Sequence, residues 1–162
     1  GSSFFQNKLF LNNLKRVEWV VVEQDHFVKC GKKYFENEQL RFEYDIDSIL
    51  SKYNSKLLLL SGVLQYLNNP YEKIEKFISY GFEYIAIDLV VCAESHIITV
   101  QNVPPIIYSA SYPCHFFYES ELLKAFENDY NVIAKFDAYP ELKIPLVNNK
   151  KGVYRGFFLK KK

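Results

Sequence analysis

Val17-Glu18-Trp19-Val20-Val21-Val22-Glu23 is a nearly continuous apolar run that ends on a carboxylate. Runs of this kind mark strands buried on both faces, as in parallel sheets. Leu57-Leu58-Leu59-Leu60 within Lys56–Ser61 and the stretch Phe82–Val91 read the same way, and Leu40–Tyr44 reads as a shorter strand. Between them the apolar residues change to helical spacing. Asp25 is placed to cap a helix that buries Phe27, Cys30, Gly31, Tyr34 and Phe35. Asp45 to Tyr53 suits a turn or short helix. Asn69 and Pro70 stand where an N-cap and first helical residue belong, ahead of the stripe Tyr71, Ile74, Phe77 and Ile78, and Gly81 supplies the stop.

Working outward, Phe4–Leu14 is expected to be a helix with Phe10 and Leu14 on one face. The order is then helix and strand in alternation, which predicts a doubly wound parallel sheet. From Ala93 to Phe117 the pattern becomes aromatic, Pro-bearing and irregular, and long irregular stretches in a compact domain usually serve function. Ser120 is expected to cap a helix through Leu122, Leu123 and Phe126. Asn131–Asp137 and Gly152–Leu159 read as two closing strands paired as an antiparallel hairpin. No linker divides the chain, so one domain spanning residues 1–162 is expected.

The 162 residues include 49% hydrophobic and 17% aromatic residues, a folded composition. A net charge of +1, from 20 basic and 19 acidic residues, gives no global field for nucleic acid or anionic lipid. Lys160-Lys161-Lys162 reads as a solvated run. Cys30, Cys92 and Cys114 are too sparse for a zinc site and suit reduced thiols in a cytoplasm. The apolar run Leu57–Leu60 is far too short to span a bilayer, and no signal peptide is visible. The chain has no Met and starts Gly1-Ser2-Ser3 directly before a helical pattern, which implies a cloning remnant or a natural chain that extends upstream.

Ligands of open α/β sheets bind outside the carboxyl ends of the strands, so the residues just past each buried strand are the candidates. Glu23 is placed to accept both hydroxyl protons of a ribose, or else to cap the next helix. Asp45 can accept from an adenine amine with Ile46 covering the ring, or serve as a turn or N-cap Asp. Ser61-Gly62-Val63-Leu64-Gln65-Tyr66 lets backbone approach a ligand, or is a plain turn. His96, His115, Tyr108 and Tyr112 lie in or beside the aromatic segment. A His there can act as a general base, although a lone His is more often structural. Asp88 ends the third buried strand and can face the same cleft. No GxSxG, HExxH, P-loop or GxGxxG is present.

Four stretches taken together resemble a family of bacterial S-adenosylmethionine (SAM)-dependent methyltransferases often associated with surface-polysaccharide loci. They are VVEQDHFV at Val21–Val28, LLSGVLQYL at Leu59–Leu67, ITVQNVPPIIY at Ile98–Tyr108 and ASYPCHFF at Ala110–Phe117. The resemblance implies a Rossmann-like class I methyltransferase sheet, mostly parallel with a C-terminal antiparallel hairpin. It sets Gly1-Ser2-Ser3 at the end of the glycine loop that cradles the methionine part of SAM, so the first strand is apparently missing. It also implies Glu23 with Gln24, and Asp45 with Ile46, as ribose and adenine contacts, and Ser61, Gly62 and Val63 as lining the site.

The expected activity is methyl transfer from SAM to an oxygen or nitrogen of a small acceptor such as a sugar. For a hydroxyl acceptor, His96 or His115 would assist as base, and Tyr108 and Tyr112 would shape the acceptor pocket. The expected setting is cytoplasmic, without metal, nucleic acid or membrane, and it leaves a homo-oligomer open. Two alternatives stand beside it: a non-catalytic Rossmann-like interaction module and a nicotinamide-dependent enzyme. The strands around Val20 and Leu58 are expected not to pair with each other.

Overall fold

A computed structural model describes residues 2–146 and 150–162. The chain forms two compact units, Gly1–Ser55 and Lys56–Lys162.

The first unit contains α1 (Ser2–Leu11), β1 (Trp19–Val22), α2 (Asp25–Tyr34), β2 (Leu40–Glu43) and α3 (Ile46–Lys52). The helical crossover between β1 and β2 makes the two strands parallel, with Val21 opposite Phe42 and Val22 opposite Glu43. Phe4, Val21, Val28, Leu40 and Phe42 form the core. Gly31 lets α2 lie directly on β2, since a Cβ there would stand 2.3 Å from the Phe42 ring. The buried face of α2 is therefore Val28 and Gly31, while Phe27, Cys30, Tyr34 and Phe35 are exposed. Gln24, not Asp25, is the N-cap, and Asp25 instead pairs with Lys29 one turn on at 2.6 Å. Of α1 only Phe4 is buried, and Phe10 is 80% exposed.

The second unit begins with the same grammar. β3 (Leu57–Ser61), a 3-10 turn (Leu64–Tyr66), α4 (Pro70–Ser79) and β4 (Tyr84–Ala93) form another parallel crossover, with Ser61 opposite Asp88. Pro70 opens α4, and Gly81 ends the segment at a φ of 71° that a side chain would resist. There follow β5 (Ile97–Val103), β6 (Ala110–Tyr118), α5 (Glu119–Lys124), β7 (Tyr130–Asp137), β8 (Lys143–Pro145) and β9 (Lys151–Lys161). The sheet runs β5-β6-β4-β9-β7, with β3 on β4 and β8 on β9.

This is an α/β fold with a mixed, mostly antiparallel seven-stranded sheet, which corrects the expectation of a Rossmann-like, mostly parallel one. Two features overturn it. The stretch after Ala93, expected to be irregular, is an antiparallel hairpin in which Ile97 faces Phe116 and Val103 faces Ala110. β9 then inserts antiparallel between β4 and β7. In this sheet, parallel pairing is confined to β3 with β4 and to two residue pairs of β4 with β6. β1 and β2 form a separate two-stranded sheet.

The main core lies on one face, where Ile74 of α4 and Leu122 of α5 meet Ile85, Ile87, Phe117 and Phe157 of the sheet. Val91, Cys114 and Phe116 make a smaller cluster. Among the described residues no helix is long and apolar enough to cross a membrane.

Candidate functional site

In the first unit, the parallel register brings the ends of β1 and β2 side by side. Glu23 follows β1 and its amide donates to the Glu43 carbonyl at 3.4 Å. The Glu23 side chain is exposed, and among the described residues its Oε2 accepts from the Gln24 amide alone, at 3.2 Å. Asp45 and Ile46 follow β2 at the same edge. The Asp45 Oδ1 accepts from the Ser48 amide at 2.7 Å, so this carboxylate caps α3. Ile46 is half-buried beside it. Ser2 opens α1 and is exposed, and Gly1 lies outside the described residues. The neighbouring Glu43, which the sequence reading did not single out, is buried. Its carboxylate holds Lys52 at 2.8 Å and Lys32 at 3.6 Å. The Lys52 contact, ahead of the opposing effect of burial, keeps the Glu43 carboxyl below its usual range.

In the second unit, Ser61, Gly62 and Val63 leave the end of β3 against a kink in β4. The Gly62 amide donates to the Asp88 carbonyl at 2.8 Å, with Gly62 at a φ of 62°. Ser61 Oγ donates to Asp88 Oδ2 at 3.4 Å, and the Leu89 amide to Asp88 Oδ1 at 2.8 Å. Leu89 has a φ of 54°, which costs a branched residue on the order of 1–3 kcal/mol. The strain sits where the pairing of β4 with β9 slips between Ile87 and Val90, a bulge of the kind that gathers at functional edges. Gln65, only 2% exposed, donates from Nε2 to the Leu89 carbonyl at 3.0 Å and so fixes the kink, while its Oε1 has no hydrogen-bond partner among the described residues.

The four candidate catalytic residues fall into two pairs. His96 Nε2 and His115 Nδ1 are 3.1 Å apart, so one ring donates and the other accepts. Both rings lie near Phe117, and Tyr71 meets His96 and Phe117 edge-on. Burial, and then the charge on His96, hold the His115 imidazole below its ordinary value of 6.5. His115 is thereby mostly neutral at pH 7, the state a general base needs.

Tyr112 is three residues before His115 on one strand, hence on the opposite face of β6. Its ring meets Tyr66 edge-on at 5.3 Å, and Tyr66 Oη donates to Gln101 Oε1 at 2.9 Å. Tyr108 stands near Tyr112 and, second to burial, adds to the rise of its phenol. Desolvation raises both the Tyr66 and Tyr112 phenols, so they are protonated donors at neutral pH.

Among the described residues no group of three or more His, Cys, Asp and Glu is placed to hold a metal ion. Two surface hollows, one lined by residues of α5 and β7 and one by Glu119, Lys135, Phe136, Asp137 and Arg155, include none of the candidates. No protein-family model matches the chain, and no curated protein matches it.

Proposed function

We propose that the chain is a SAM-dependent methyltransferase domain acting on a small acceptor, with a sugar hydroxyl as the best candidate. The observation that carries this reading is the edge of the β1–β2 pair. An exposed Glu23 carboxylate and the Asp45-Ile46 turn stand at the carboxyl ends of adjacent parallel strands, where open α/β sheets hold nucleosides. Glu23 suits a ribose diol because, among the described residues, only a backbone amide competes for its oxygens. Asp45 fits an adenine amine only through Oδ2, since Oδ1 serves the helix.

SAM, when bound, supplies an activated methyl group. The chain's own contribution is positioning, which accounts for much of the catalysis in such transfers. By itself, the second unit holds proton-accepting and hydrogen-bonding groups: the His115 imidazole, kept below its ordinary value by burial, and the protonated phenols of Tyr66 and Tyr112. Phosphoryl and metal-assisted chemistry find no comparable support in the residues described.

Isothermal titration of the chain with SAM tests the reading. Binding is expected, with Glu23→Ala weakening it by roughly 1–3 kcal/mol, the cost of a lost charge-assisted hydrogen bond. Absence of SAM binding, or identical affinity in Glu23→Ala, would favour a non-catalytic interaction module. A preference for a nicotinamide dinucleotide over SAM would replace the cofactor class.

A further inference from the structure

The hairpin of β5 and β6 is distinguished by what it lacks. Between Glu94 and Glu119 there is no Asp, Glu, Lys or Arg, in a chain of which 24% is charged. β5 is the end strand of the sheet and, among the described strands, pairs only with β6. Its seven residues therefore leave a row of backbone donors and acceptors open. Soluble proteins guard such edges with Lys, Pro or bulges. The opposite edge strand, β7, carries Lys135 and a register slip between Val132 and Ala134. β5 has none of these devices: its register with β6 is unbroken over seven pairs. Ile98 and Val100 on its surface are 61% and 65% exposed.

We propose that β5 pairs antiparallel with β5 of a second copy of this chain, about a two-fold axis at Val100. The uncharged sequence argues for this occupant. Self-pairing about a two-fold sets each residue against its mirror image in the strand: Ile97 on Val103, Ile98 on Asn102, Thr99 on Gln101 and Val100 on itself. None of these pairs repels: Ile97 on Val103 and Val100 on itself are apolar, Thr99 on Gln101 can hydrogen-bond, and Ile98 on Asn102 is uncharged. Val100 is the midpoint of Ile97–Val103, so this register uses every residue of the strand. The open sides of β1 and β3 are only four and five residues long. An isologous contact of this kind closes at two copies, because each chain offers one such edge.

Sedimentation equilibrium across a range of concentrations tests the proposal, with a species of twice the 19.1 kDa chain mass expected. Val100→Lys places two ammonium groups face to face at the axis and should raise the dimer dissociation constant about tenfold or more. Ile133→Lys on the exposed face of β7 should leave it unchanged, with far-ultraviolet circular dichroism confirming that both variants fold. Oxidation of Val100→Cys in a Cys30→Ser background should give a disulfide-linked dimer faster than Thr99→Cys does. A monomer at all concentrations, a dimer indifferent to Val100→Lys, assembly beyond two copies, or faster cross-linking through Thr99→Cys would overturn the proposal.

Discussion

The two units start from the same sentence and finish it differently. Each contains one strand-helix-strand crossover, β1-α2-β2 in the first and β3-α4-β4 in the second, and each crossover is parallel. In the first unit the sheet stops there, at two strands over a cluster of five buried residues. In the second, five further strands join and the main cluster reaches thirteen. A two-stranded sheet is marginal on its own, so the first unit depends on close packing at a few points such as Gly31 on Phe42. The second has redundancy. The parallel grammar of a crossover is thus a local property, and the direction of a whole sheet is decided by what is added to it.

The sharpest way to break this contrast is to remove one large side chain from the richer core. Phe117 is fully buried, and Phe117→Ala should cost about 3–5 kcal/mol in urea denaturation, because a ring-sized cavity cannot collapse between sheet and helices. Gly31→Ala in the first unit should cost about 1–3 kcal/mol, since the new methyl overlaps the Phe42 ring. Native-state hydrogen exchange should show β1 and β2 amides opening at lower free energy than those of β4 and β9. Equal protection would mean that the small core is not the weaker one.

Acid should separate the units by pH. His115 is held below its ordinary 6.5, so as the pH falls through that value the unfolded chain takes up the proton first. The second unit should lose stability from there down to the folded value, and no further from this group. Glu43 is held below its ordinary 4.5. Its contribution is present above that value and is lost as the pH falls through the lower folded one, so the first unit should weaken only in stronger acid. His115→Gln should remove the first phase from a thermal-melt pH series and Glu43→Gln the second. The smallest effect is chemical. Cys30 is exposed and should react with a thiol reagent at once. Cys92, its thiol pushed up to about 12 by burial, and the buried Cys114 should react only as the second unit opens.

Local punctuation was legible in the sequence. Asn69-Pro70 opens α4, Gly81 follows it, and the apolar runs at Val20 and Leu58 are strands. Sheet direction was not legible, because Pro104, Pro105 and Pro113 disguise the β5–β6 hairpin as a loop. Pro113 is tolerated within β6 because β4 pairs with that strand only at Phe117 and Tyr118, leaving one side of the ladder free there. Losing the hairpin also hid the histidine pair. His96 and His115 are nineteen residues apart and meet only because Ile98 stands across from His115. The Glu23 and Asp45 turns were readable, since a positional rule points to them. The Leu89 kink was not, because leucine carries no signal for a positive φ, and the Gln65 side chain that holds it reads as an ordinary surface residue.

β9 is the only described strand that bonds to β4, β7 and β8 together. On a ribosome it is made after all three. Until it emerges, β7 and β8 have nowhere to dock, and the backbone groups along one edge of β4, from Tyr84 to Cys92, wait unpaired. Its register with β4 joins residues such as Ile85 and Leu159, more than seventy positions apart, and contacts that distant are slow to form. The nascent chain should therefore be a client of chaperones up to this last strand. A stop codon placed just before Lys151 should yield an insoluble product, whereas the same truncation supplied with β9 as a separate peptide should recover the sheet.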